Sequence, residues 1–444
     1  MNEKLIKKLI ILMIIFIIII ISIILILKNF SEENTIQEDV SNFDSGLEYE
    51  KNDNGFEILN DPNVYFSVMD TLNTYFEILE FDTENSQYVN HYEIEDEDEL
   101  KRLILEDMLD QTYVMENNIN VNNFDEYIQL MNYGYNVIPT ELRVRYDDSN
   151  TVYISSIYIE NMQTNQLEKR YYIIRIDQNN FTFSIEPVED NVNSIEDIQV
   201  EESNGEIENH IYNKFSIETI STEELIREYM SNFMHMLVNH TDIAYENYLD
   251  EEYEKERFGE LDNLIDFVNK NKEELNGVEP SQYLVEFEDN EKKYVILDQY
   301  QNTYEFYETA TMSYKVRLDT YTIISDNFKE TYNSSDEQHK VAMNIDKWVQ
   351  MLNTRDYTHA YEELDETFRN NNWGSEEAFE QYMRENFPLH YDVEYTTYSS
   401  EGSTYVQQIN LTDITGETEG TILLNIIMQL KDNYEFVMSF SLQE

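Results

Sequence analysis

Cysteine is absent from the 444-residue chain, which excludes disulfides, a thiolate metal site and a lipid anchor on a modified cysteine. Basic residues are scarce: 29 Lys and Arg stand against 91 Asp and Glu, a formal net charge of −62. Nucleic acid and anionic lipid are bound by cations that displace counterions, so nucleic acid is excluded as a partner of the folded part. Catalytic signatures are missing as well. There is no P-loop, no nucleophile elbow and no HExxH zinc motif, and no serine has a histidine beside it in the sequence. The acidic run EDEDE at 95–99 lacks the central glycine and closing glutamate of a calcium loop. The acidity is read as a solvated, repulsive surface, with weak binding of multivalent cations as the alternative.

Seven histidines are scattered at 91, 210, 235, 240, 339, 359 and 390. His235 and His240, five apart, would point about 140° away from each other on one continuous helix. No catalytic, cofactor-binding or metal-ligating residue is therefore assigned, no cofactor is expected, and the chain is expected not to be an enzyme.

What is present begins with one long apolar run. Leu9 to Leu27 is apolar at every position except Ser22, and as a helix it would span about 28 Å, near the hydrocarbon thickness of a bilayer. It exceeds the roughly 7–15 apolar residues of a cleaved signal peptide and is followed by no small-residue cleavage site. The sequence thus predicts a cytoplasmic N-terminus at 1–8 and a transmembrane helix at 9–27 that anchors a single-pass protein in the cell membrane. Lys4, Lys7 and Lys8 precede the run, whereas Glu32 and Glu33 follow Lys28. That asymmetry places everything after the run outside the cell. Richness in Asn, Ile and Tyr suggests an AT-rich bacterial genome.

Beyond the run, residues 28–60 and 189–214 are acidic, lack a hydrophobic period and are predicted as linkers. They separate cone-like domains expected at 61–188, 215–330 and 331–444. The last two units share a phrase: AYENYLDEEYEKERFG at 244–259 matches AYEELDETFRNNNWG at 360–374. From the shared leucine (Leu249, Leu364), aromatics follow at plus four (Tyr253, Phe368) and plus nine (Phe258, Trp373), then glycine (Gly259, Gly374). Helical stripes precede each phrase and period-two strand patterns follow it. The phrase is read as the bend between two helices, with Ala244 and Ala360 at the crossing, the aromatics in the core and the glycines in a positive-φ turn. The first unit keeps the order of helices then strands. Its NNFTFSIEP ending matches NYEFVMSFSL.

Helices followed by an antiparallel sheet, with Asp242-Ile-Ala-Tyr245 and Asp356 leading to Ala360-Tyr361, resemble the nuclear transport factor 2-like superfamily. The resemblance implies an α+β fold in which a bent sheet wraps the helices into a cone, here three in tandem after the membrane helix. In layout the chain is similar to membrane-anchored Gram-positive surface and conjugation-machine proteins. The superfamily's enzymes set acids and tyrosines inside the cone. Here the positions expected to face inward are apolar: Val285, Phe287, Val316, Leu318, Ile422 and Leu424. Asp319 and Tyr321 are expected to form an outward-facing pair on a strand. The 35 tyrosines fit cross-strand pairs or a recognition surface. Together these features imply a membrane-anchored extracellular binding or assembly protein with a protein or cell-wall partner. The alternative is a small-molecule carrier or enzyme using a cone interior as its pocket. Acidic linkers would leave the units little shared surface, so each is expected to melt separately.

Overall fold

A computed structural model describes residues 51–443 apart from 53, 80–95, 129–134, 189–191, 193, 203–204, 289–290, 388–389 and 417–419. Among the described residues the architecture is α+β, with twelve α-helices and three antiparallel sheets. None of those helices is long and apolar enough to cross a membrane. The expected fold class is corrected accordingly: a transmembrane helix is not part of the described architecture, and the run 9–27 that suggested one lies outside the described residues. The longer helices, such as Pro62–Leu79, Thr222–Asn239 and Glu337–Asn353, bury one apolar stripe and turn polar residues outward.

In the first unit a short strand β1 (Glu57–Ile58) and helices α1 (Pro62–Leu79), α2 (Glu97–Leu103) and α3 (Gln111–Glu116) precede β2 (Tyr135–Tyr146), β3 (Asn150–Asn161), β4 (Gln166–Asp177) and β5 (Phe183–Pro187). The second runs α4 (Thr222–Asn239), α5 (Thr241–Asn247), α6 (Glu251–Arg257), α7 (Leu261–Asn276), then β6 (Pro280–Glu288), β7 (Glu291–Asp298), β8 (Thr303–Ala310) and β9 (Ser313–Arg317). The third runs α8 (Asp326–Ser334), α9 (Glu337–Asn353), α10 (Tyr357–Glu362), α11 (Glu366–Asn372), α12 (Glu376–Asn386), then β10 (Tyr391–Glu401), β11 (Thr404–Asp413), β12 (Thr421–Leu430) and β13 (Phe436–Leu442). Strands in each sheet lie in chain order.

The repeated phrase docks helices onto the sheet. Asp250 caps α6 by accepting from the Tyr253 N–H, and Asp365 caps α11 by accepting from that of Phe368. Immediately before each cap, Leu249 bridges to Val316 and Leu364 to Met438 in the last strand of its sheet. The first unit does the same with Leu109, which bridges to Ile185, while Asp110 caps α3. Gly259 and Gly374 end the phrase at φ +73° and +75°, as expected of a turn that a Cβ would strain. Ala244, Ala360 and Tyr253 are fully buried and Phe258 nearly so. Phe368 and Trp373 are half-buried, packed on the core of the third unit.

The units share more surface than the acidic composition between them implies. One continuous core runs from Leu59 to Leu318 across the first two, and the backbone N–H groups of Glu218 and Ile220 donate to Ser67 Oγ and Asn63 Oδ1 of α1, both at 2.9 Å. Ile195 and Ile198 lie on the outer face of the first sheet, over Val152, Ile154 and Ile173. Arg145 reaches the carbonyls of Val200 and Glu201 at 3.0 and 3.1 Å and so pins this chain down. Val316, Leu318 and Leu424 are buried in the cores, and Val285 and Ile422 pack half-buried against the same cores. The side chain of Phe287 lies outside the described residues.

Candidate functional site

Buried ionisable groups gather at the junction between the second and third units. Arg257, the last residue of α6, places its Nη1 3.0 Å from Asp356 Oδ1, and its Nε 3.7 Å from Asp319 Oδ2. Tyr253 donates to Asp319 Oδ2 at 3.0 Å, and Tyr321 donates to Asp356 Oδ2 at 3.0 Å. Asp319 and Tyr321 are thus turned inward, not outward as a strand pattern suggests. The strand β9 has already ended at Arg317, so period-two alternation no longer sets their direction. A second bridge lies alongside, where Glu274 of α7 accepts from Arg355 at 3.2 Å and sits 3.1 Å from His390 Nε2. His390 stacks on Tyr300 of the second unit with ring centroids 4.1 Å apart.

Burial pushes the Asp319 carboxyl above the ordinary carboxylate range, a rise that Arg257 and the donors Thr322 and Tyr253 offset only in part. Burial acts on Asp356 too, but Arg257 and His359 outweigh it and hold that carboxyl low. Asp319 and the Tyr253 hydroxyl that donates to it form the carboxyl and phenol pair of this junction. The neighbouring cavity, lined by both together with Arg257, Tyr304 and Thr354, measures about 40 Å³. That is room for water, against the roughly 300–1,000 Å³ of small-molecule sites.

His359 caps this network. The Asp356 carboxylate, 2.8 Å from its Nδ1, raises the imidazole above its ordinary value of 6.5; burial and Arg257 oppose the rise, and Glu362 reinforces it. A histidine whose folded-state value is raised stabilises the fold fully below its unfolded value and ceases to do so as the pH rises through the folded one. The difference in melting temperature between wild type and His359→Gln should therefore shrink as the pH is raised from about 6 through the raised value. A difference independent of pH across that window would refute the assignment.

At the other junction, Glu160 near the end of β3 accepts from His235 Nε2 through one oxygen and from His240 Nε2 through the other, each at 2.7 Å. The two imidazoles meet because α4 stops at Asn239. His240 takes φ −137° and ψ 58°, which breaks the helical spacing that would separate them. Burial would raise Glu160, but the bonds from His240 and His235 hold it below the usual range. These three side chains could hold a metal ion: their ligand atoms all lie within 4.8 Å of one another.

The third feature is a surface. On the outer face of the last sheet β12 turns out Leu423, Asn425, Ile427 and Gln429, while Leu424, Ile426 and Met428 are buried. Register places Val406, Gln408 and Asn410 of β11 and Val437, Ser439 and Ser441 of β13 on the same face. Not one of these ten side chains is charged, in a chain of net charge −62. The acids Asp392, Glu394 and Glu401 are confined to the edge strand β10. Ile427 is 46% and Leu423 39% exposed.

No family model matches the chain, and no curated protein is similar to it.

Proposed function

We propose that the chain is a binding or assembly protein without catalytic activity of its own, and that the outer face of its third sheet receives a protein partner. The uncharged patch carries this reading. Interface cores are depleted of charge and centred on apolar side chains, and here Val406, Leu423, Ile427 and Val437 are ringed by amides and hydroxyls. The first sheet supports the point by contrast, since its apolar outer face is covered by the chain's own Ile195 and Ile198. The junction cavity beside Asp319 has room only for water and so lends no support to the carrier or enzyme alternative. Cone-shaped domains of the nuclear transport factor 2-like kind fit the order of helices and strands. Display outside a bacterial cell rests on the apolar run 9–27 and the lysines before it.

The test is a photo-crosslinking residue placed at Ile427 on intact cells, with the same residue at Met115, 71% exposed in the first unit, as control. A single adduct of defined mass is expected from position 427 and none from 115. Leu423→Asp should abolish the adduct while altering stability by no more than about 0.5 kcal/mol. Absence of an adduct at 427, or the same adduct from both positions, would sink the proposal.

A further inference from the structure

We propose that Glu160, His235 and His240 form a zinc site that ties the first unit to the second. Two imidazole nitrogens and one carboxylate oxygen are a donor set that zinc takes in sites with three protein ligands. They come from separate units: Glu160 from β3, and the histidines from the end of α4.

The scaffold holds these groups in place. Glu160 is paired on both sides, with Asn136 of β2 and Leu167 of β4, so its backbone is fixed. His235 lies in the last turns of an eighteen-residue helix with a complete capping box at its start. The ligand atoms are 2.7 Å apart in each histidine–glutamate contact. The two contacts run to different carboxylate oxygens, and the three ligand atoms all lie within 4.8 Å of one another; zinc bound at about 2.0–2.2 Å would set tetrahedral ligands about 3.3–3.6 Å apart, so the short contacts open and the longer separation closes by side-chain torsion.

The charge of the site points the same way. Glu160 has a side chain 2% exposed, and among the described residues its ion-pair partners are these two imidazoles, with no Lys or Arg. A buried carboxylate in that position lacks a permanent counter-charge, which a divalent ion supplies. An outer partner is also present, because the side-chain amide of Asn239 lies 3.3 Å from His235 Nδ1. With Nε2 on the metal, Nδ1 carries the proton, and the amide turned over presents its oxygen to that N–H. His235 keeps 28% of its side chain exposed, so a fourth position open to water falls on its side.

The full chain, stripped with a chelator, would be dialysed against Zn²⁺ in a large excess of Ca²⁺, which occupies the diffuse acidic surface. Bound metal is then counted by mass spectrometry. One zinc per chain is expected to survive the calcium. His235→Ala, at a partly exposed position, should leave metal-free melting close to wild type yet weaken zinc by more than the roughly 10–100-fold that loss of an outer partner costs. Glu160→Gln, which preserves size, should weaken it likewise. The proposal is overturned if calcium displaces all the zinc, or if both variants bind zinc as the wild type does.

Discussion

Arg257→Ala is expected to destabilise the protein by about 3–5 kcal/mol, the cost of removing one partner from a buried ion pair. The guanidinium lies between Asp356 and Asp319 and stacks over the rings of Phe258 and Phe267 at 4.7 and 5.3 Å. Without it, the fully buried Asp356 carboxylate keeps, among the described residues, only His359 as a cationic partner, and Asp319 loses its ion-pair partner. Lysine should restore little, because a point charge cannot make the planar contacts with two rings and an acid together. Arg257→Met combined with Asp356→Leu should recover part of the loss by removing the stranded charge. Denaturant titration gives the answer: a cost below about 1 kcal/mol would mean that the network is not what joins the second and third units.

Trp348→Ala should cost a similar amount, about 3–5 kcal/mol for a large buried aromatic. The ring is 0% exposed, packs against Phe440 with centroids 5.3 Å apart and donates its N–H to the Ala360 carbonyl at 3.1 Å. Truncation would leave that buried carbonyl unpaired as well as a cavity. Trp373→Ala removes the same side chain from a half-buried position among Phe368, Phe379, Tyr382 and Phe440. Its cost should be distinctly smaller. The urea midpoints of the two variants order the positions, and equal shifts would contradict the packing described.

The repeat was legible because it is local. Leucine, cap and glycine recur at fixed offsets, and the structure gives each one job: docking on the last strand, starting a helix, turning the chain. The copy at Leu109–Asp110 is hidden in the sequence because its surroundings differ, with α2 running into a π-helical turn at Ile104–Met108. The junctions were not legible. Arg257 and Asp356, or Glu160 and His240, are brought together by packing between units, and no periodicity carries that information. Both misread pairs failed where an element stops. Helical spacing separates His235 from His240 only if one helix runs through both, and alternation turns Asp319 and Tyr321 outward only if the strand continues past Arg317. Acidic composition likewise suggested separation between units, but net charge says nothing of the few apolar side chains, such as Ile195 and Ile198, that hold such a segment against a sheet.

Buried junctions make the three units one compact body, which presents the uncharged face of the last sheet. The chain supplies its own probe, since its two tryptophans, Trp348 and Trp373, both lie in the third unit. Thermal unfolding of the unaltered protein followed by tryptophan fluorescence reports that unit alone, whereas far-UV circular dichroism reports all three. Coincident transitions are predicted, separating only when Arg257 is replaced. A fluorescence transition displaced from the circular dichroism transition in the unaltered protein would contradict the account.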